Sequence, residues 1–91
     1  MTDKFYRFPA NKKAREATLE QQARKVCEEA DEVLMAVERA EGIDHLLEEC
    51  FDVIHAVEGI LRRYSMRRVF VAHARVLVKC MIRGDYSGGK Q

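Results

Sequence analysis

The chain has 91 residues, 47% of them apolar and 34% charged. That length gives one small domain, which buries only about two thirds of its unfolded surface, and the composition excludes a disordered chain. Sixteen basic side chains nearly cancel fifteen acidic ones, which leaves no charge excess to drive nucleic-acid or membrane binding, and no apolar run reaches the roughly 18 residues of a membrane span.

Residues 1–13 contain the only proline and no hydrophobic period. They read as an extended arm, polar and aromatic and unlike a signal peptide. Phe5, Tyr6 and Phe8 offer apolar surface for docking on the body or on a partner subunit. Thr18 followed by Gln21 makes a capping-box pattern, while Ala14 and Ala17 also permit an earlier helix start near Lys12. Val26, Ala30, Val33, Leu34 and Val37 recur at helical spacing, and Gly42 suits the C-terminal cap.

A second helix is expected from an Asp44 N-cap to about Tyr64, with Leu47, Cys50, Phe51, Ile54, Val57 and Leu61 as its apolar set. Glu49, Asp52, Ala56 and Gly59 fall roughly opposite that set, and the two small residues admit a closely approaching helix. A helix covered on both sides asks for more than one chain supplies, which points to a homodimer or homotetramer. Ser65 caps a third helix carrying Val69, Phe70, His73, Val76, Leu77, Cys80 and Met81, and Gly84 stops it. Residues 84–91 form a tail with a loose Ser87-Gly88-Gly89. The expected fold is all-α: a single domain over 1–91, a three-helix chain with a long antiparallel hairpin, assembled into an oligomeric bundle. Cys27, Cys50 and Cys80 lie far apart without metal-ligand spacing, so they read as buried, reduced thiols of a cytoplasmic protein.

The turn near Ala40 to Ile43 brings two acidic clusters face to face. Folding back there sets Glu29 level with Asp52 and Glu32 level with Glu49; Glu29 and Glu32 are three residues apart on one helix face, and Glu49 and Asp52 repeat that spacing on the next helix. Each carboxylate alone is an ordinary solvated helix residue, and Lys25–Glu29 and Glu58–Arg62 are ordinary i,i+4 pairs. Together, the four have no lysines at their own level. Close packing of like charges is costly, and a hard divalent cation, Mg2+ or Mn2+, offsets it with oxygen ligands alone.

Glu28-Glu29-x-x-Glu32 followed by Glu49-x-x-Asp52 resembles the EExxE…ExxD signature of the MazG family of all-α nucleoside triphosphate pyrophosphohydrolases, over about Ala23 to Tyr64. The arm and the Arg83-Gly84-Asp85-Tyr86 ending are similar to compact phage-type members. The resemblance implies Mg2+-dependent conversion of a (d)NTP to the monophosphate and pyrophosphate by an oligomer. It implies metal ligation by Glu29, Glu32, Glu49 and Asp52, with Glu28 binding a second ion or orienting water. Arg24-Lys25-Val26-x-Glu28-Glu29-Ala30-x-Glu32 also resembles the phosphoribosyl-ATP pyrophosphohydrolases, although Asp52-Val53-Ile54-His55 lacks their tyrosine and sets the histidine one position early. The alternative from another class is a non-catalytic helical interaction module with a degraded acidic motif.

Asp52-x-x-His55 matches half of a di-iron helical motif, but no second half exists, so His55 is expected as a satisfied polar residue or a donor behind the ligands. His45 and His73 have no evident partner. On the third helix, Arg68, Arg75, Lys79 and Arg83 form a basic stripe. Lys79 and Arg83, with Lys25, are the candidate phosphate contacts, against the alternative of a solvated outer face. Tyr86 is a candidate for stacking on a base.

Overall fold

The computed structural model describes residues 5–86. Those residues form α1 (Lys12–Glu16), α2 (Leu19–Glu38), α3 (Ile43–Leu61) and α4 (Met66–Ile82), with no strand among them. The all-α expectation holds, with one helix more than expected. Both candidate starts of the first helix are used. The Asn11 side chain accepts from the backbone N–H groups of Lys13 and Ala14 and starts α1. Ala17 then turns extended, at φ −73° and ψ 154°. Thr18 restarts the chain: its hydroxyl accepts from Gln21 N at 3.0 Å, and the Gln21 side chain accepts from Thr18 N at 2.8 Å.

The turn between α2 and α3 differs from expectation in two residues. Ala40, not Gly42, takes the left-handed position after α2, at φ 50°. Gly42 instead N-caps α3, at φ 102° and ψ 155°, a conformation that favours glycine. Asp44 therefore falls inside the first turn of α3, where its charge meets the positive end of the helix dipole. Ser65 caps α4 as expected, accepting from Arg68 N.

The main packing in the chain is α2 on α3. Gln22 Nε2 donates to the Ala56 carbonyl at 2.9 Å, Glu29 lies beside Asp52, and Ala36 shares a groove with Leu46, so the two helices run in opposite directions. The small face of α3 is filled from within the chain. Ala56 and Gly59 are buried, and a Cβ built on Gly59 would stand 2.8 Å from Ala14 Cβ and 2.6 Å from Gln22 Nε2. The close approach expected at these residues is thus made by α1 and α2, not by a second subunit.

The described part of the arm docks on the body. Buried Glu58 accepts from the backbone N–H groups of Arg7 at 2.8 Å and Phe8 at 3.1 Å. Arg62 Nη2 donates to the Phe8 carbonyl at 2.9 Å, and its guanidinium lies 4.2 Å over the Tyr6 ring, a cation–π contact. Glu58, expected as surface decoration, is therefore the anchor of the arm.

Very little core results. Among the described residues the buried apolar side chains are Tyr6, Ala14, Ala36, Ala56 and Val69, three of them alanine. The apolar faces read from the sequence exist but lie open: Leu34, Val37, Leu47, Phe51, Phe70, Val76, Leu77 and Met81 are all exposed. The cysteines are not buried as expected either. Cys27 is exposed, Cys50 and Cys80 are half-buried, and all are free thiols. The cause is common to all of these: one chain offers nothing to cover the outer faces. The loose Ser87-Gly88-Gly89 tail and the first four residues of the arm lie outside the described residues. Among the described helices none is long and apolar enough to cross a membrane.

Candidate functional site

The strip of α2 that meets α3 carries residues at intervals of three and four: Gln22, Val26, Glu29, Val33 and Ala36, all buried or half-buried. Glu29 is the charged member of that strip, at its middle. Opposite it α3 presents Glu49 and Asp52. One carboxylate oxygen from each of Glu29, Glu49 and Asp52 lies within 4.8 Å of the others. The Glu29 and Glu49 side chains are only 16% and 13% exposed, and Asp52 is exposed.

The sequence quartet becomes a trio. Glu32 is exposed and stands outside the three-oxygen cluster. It remains close enough for its charge to raise the pKa of Glu49. Glu28 is also exposed, at the rim beside Lys25, whose cation it helps stabilise.

Burial is the main cause that pushes the Glu49 carboxyl above its ordinary value; a hydrogen bond with Asp52 pushes the same way, and His45 pulls it down. His45 has the partners that the sequence reading missed: its Nε2 lies 3.0 Å from Glu41 and 3.1 Å from Glu49. The signal was present, because 41, 45 and 49 are spaced i,i+4. Lys25 Nζ lies 2.7 Å from Glu29 Oε2. The hydrogen bond and the Glu29 charge hold the ammonium pKa above its usual range. The Lys25–Glu29 pair expected from the i,i+4 spacing is thus formed, and it gives one carboxylate of the trio a lysine partner one turn away.

The donor set fits a hard divalent cation. It offers three oxygens and neither sulfur nor ring nitrogen. Adjacent oxygens in an Mg2+ octahedron stand about 2.9 Å apart and opposite ones about 4.2 Å, so three oxygens spread over as much as 4.8 Å would have to draw together around one ion. Beside it opens a cleft of about 560 Å³, lined by Glu29 and Asp52 at the acidic side and by Lys13, Lys25, Gln21 and His55 elsewhere. His55 is a supporting residue: Nε2 lies 3.3 Å from Asn11 Nδ2, and Phe8 stacks on its ring at 4.6 Å.

Lys79 and Arg83 line a separate groove on α4. Arg83 is held by Asp85 at 2.6 Å and by Cys80 Sγ at 3.4 Å. Tyr86 is exposed, and its hydroxyl bonds Cys80, which raises the phenol pKa. Within one chain the acidic trio is therefore joined to Lys25 and not to the basic stripe of α4. Compared with protein-family models, with curated proteins and with solved structures, the chain matches none.

Proposed function

We propose that the chain is an Mg2+-dependent nucleoside triphosphate pyrophosphohydrolase that acts as a homodimer or homotetramer, hydrolysing a (d)NTP to the monophosphate and pyrophosphate. The observation that carries this reading is the convergence of Glu29, Glu49 and Asp52 from two helices, half out of water, at the wall of a nucleotide-sized cleft. These three would hold Mg2+ or Mn2+, with Glu32 and Glu28 bordering them. A bound ion neutralises phosphate charge and lowers the pKa of an attacking water. The rest falls to the chain. Lys25 exchanges its Glu29 contact for a phosphate oxygen, and Lys13 adds a second positive charge in the cleft. His55, fixed by Asn11 and Phe8, keeps the wall beside Asp52 in place.

One observation favours a second reading, a non-catalytic interaction module. The Lys25–Glu29 pair and the Glu49–Asp52 hydrogen bond already satisfy much of the trio. Pyrophosphate release from a panel of dNTPs with Mg2+ separates the two. The enzyme reading expects Asp52→Asn to lose at least ~100-fold, more than the loss of an outer-shell partner. Glu32→Gln should lose less than Asp52→Asn, and helicity should persist in both. No release from any nucleotide with either Mg2+ or Mn2+ would leave the module reading.

A further inference from the structure

Beyond the single chain, we infer that α4 docks on a second copy of this chain, against the acid-flanked apolar strip of that copy's α3. Within its own chain α4 is barely engaged, with Val69 its one buried residue. Val71, Val78 and Ile82 lie along one face of α4 with Arg75, Lys79 and Arg83 beside them, and together they line a shallow groove of about 550 Å³. Val78 is 54% and Ile82 81% exposed. On α3, Leu47 and Phe51 are 52% and 46% exposed, and Asp44 and Glu48 stand next to them on the same side at 100° per residue.

The two strips match in charge as well as in apolarity. Helix α4 contains no Asp or Glu, and α3 contains no Lys or Arg. The area argues the same way. The chain exposes 7461 Å², against ~5,400 Å² expected of a folded monomer of 10.5 kDa. The excess of roughly 2,000 Å² is more than the ~800 Å² per partner that a standard interface buries. A twofold exchange, in which each copy gives α4 and receives α4, covers both strips in one event and closes on itself. An anionic membrane or a nucleic acid would engage the basic edge of α4 and leave Leu47 and Phe51 bare. The same docking carries Lys79 and Arg83 toward the α3 of the other copy. Their use as phosphate contacts there rests on the nucleotide reading above; the interface does not.

The test is charge reversal read by sedimentation velocity. One variant carries Arg75→Glu with Lys79→Glu, the other Asp44→Lys with Glu48→Lys; all four positions are exposed. The expected result is a wild-type dimer or larger, monomers of each reversed chain, and a dimer again when the two are mixed in equal amounts. Val78→Asp breaks the interface without reversing a charge and should also give a helical monomer. A monomeric wild type, a dimer that survives either reversal or Val78→Asp, or a mixture that stays monomeric overturns the inference. So does wild-type monomer captured by anionic phospholipid vesicles or by duplex DNA. Failure here is distinct from failure of the catalytic assignment: an active monomer removes the interface, and the oligomer of the proposed function with it, but leaves the chemistry; an inactive dimer removes the activity alone.

Discussion

On the proposed function, a divalent cation would compete with Lys25 for Glu29. The pair is half open to water, and such pairs are worth only about 0.2–1 kcal/mol. Lys25→Met should therefore tighten binding of bare Mg2+ by up to about fivefold, read by titration calorimetry, while raising KM for the nucleotide. Glu49 makes a prediction with a definite sign. Its carboxyl holds a proton more firmly in the folded chain, through burial first and then the bond to Asp52. A raised acid stabilises the fold below its ordinary value of 4.5 and loses that contribution as pH climbs through the raised value. Without metal, Glu49→Gln should thus gain thermal stability relative to wild type between about pH 4.5 and neutrality, and added Mg2+ should erase the difference. At this scale the sequence located Glu29, Glu49 and Asp52, because equal offset from a turn fixes which residues face each other. It misplaced Glu32. Residues three apart on a helix differ by about 60° around its axis, and the contact strip is narrow enough to keep Glu29 in and Glu32 out.

The helices themselves were legible wherever a cap accompanied a period. Thr18 with Gln21 and Ser65 both act as read. Asn11 escaped notice because α1 is a single turn, too short to show any period. The turn was found, but its residues exchanged roles, since the chain spends Gly42 on entering α3 and forces Ala40 into the left-handed region. Periodicity also identifies an apolar face without saying what covers it. On α3 the closely packed side turned out to be the small one. That packing is checked by Gly59→Ala. Alanine adds about 1 kcal/mol of helix propensity, but its Cβ meets Ala14 Cβ at 2.8 Å, and overpacking costs about 1–3 kcal/mol. Because Ala14 Cβ is rigid on α1, the clash should win, lowering the melting midpoint by several degrees in a thermal scan and loosening α1 in hydrogen exchange.

The whole molecule is more extended than its length requires, with a radius of gyration of 15.2 Å against ~12 Å for a compact domain of this size. A fold whose fully buried apolar residues, among those described, are mostly alanine draws little of its stability from a closed core. Stability should therefore depend on protein concentration: the unfolding midpoint followed by circular dichroism should rise over a roughly hundredfold range, as mass action demands when association and folding are linked. Added salt should lower it, because opposite charges on α3 and α4 are screened. The sequence hinted at assembly through its two-sided second helix, yet for a reason the structure replaces, since the uncovered surface is the outer one. Finally, the buried Glu58 grips its segment by main-chain amides rather than by side chains. Such a latch does not read the residues it holds, so Arg7→Ala should leave it shut. Arg7→Pro, which deletes one of the two gripped amides, should spring it and expose the chain's beginning to proteases.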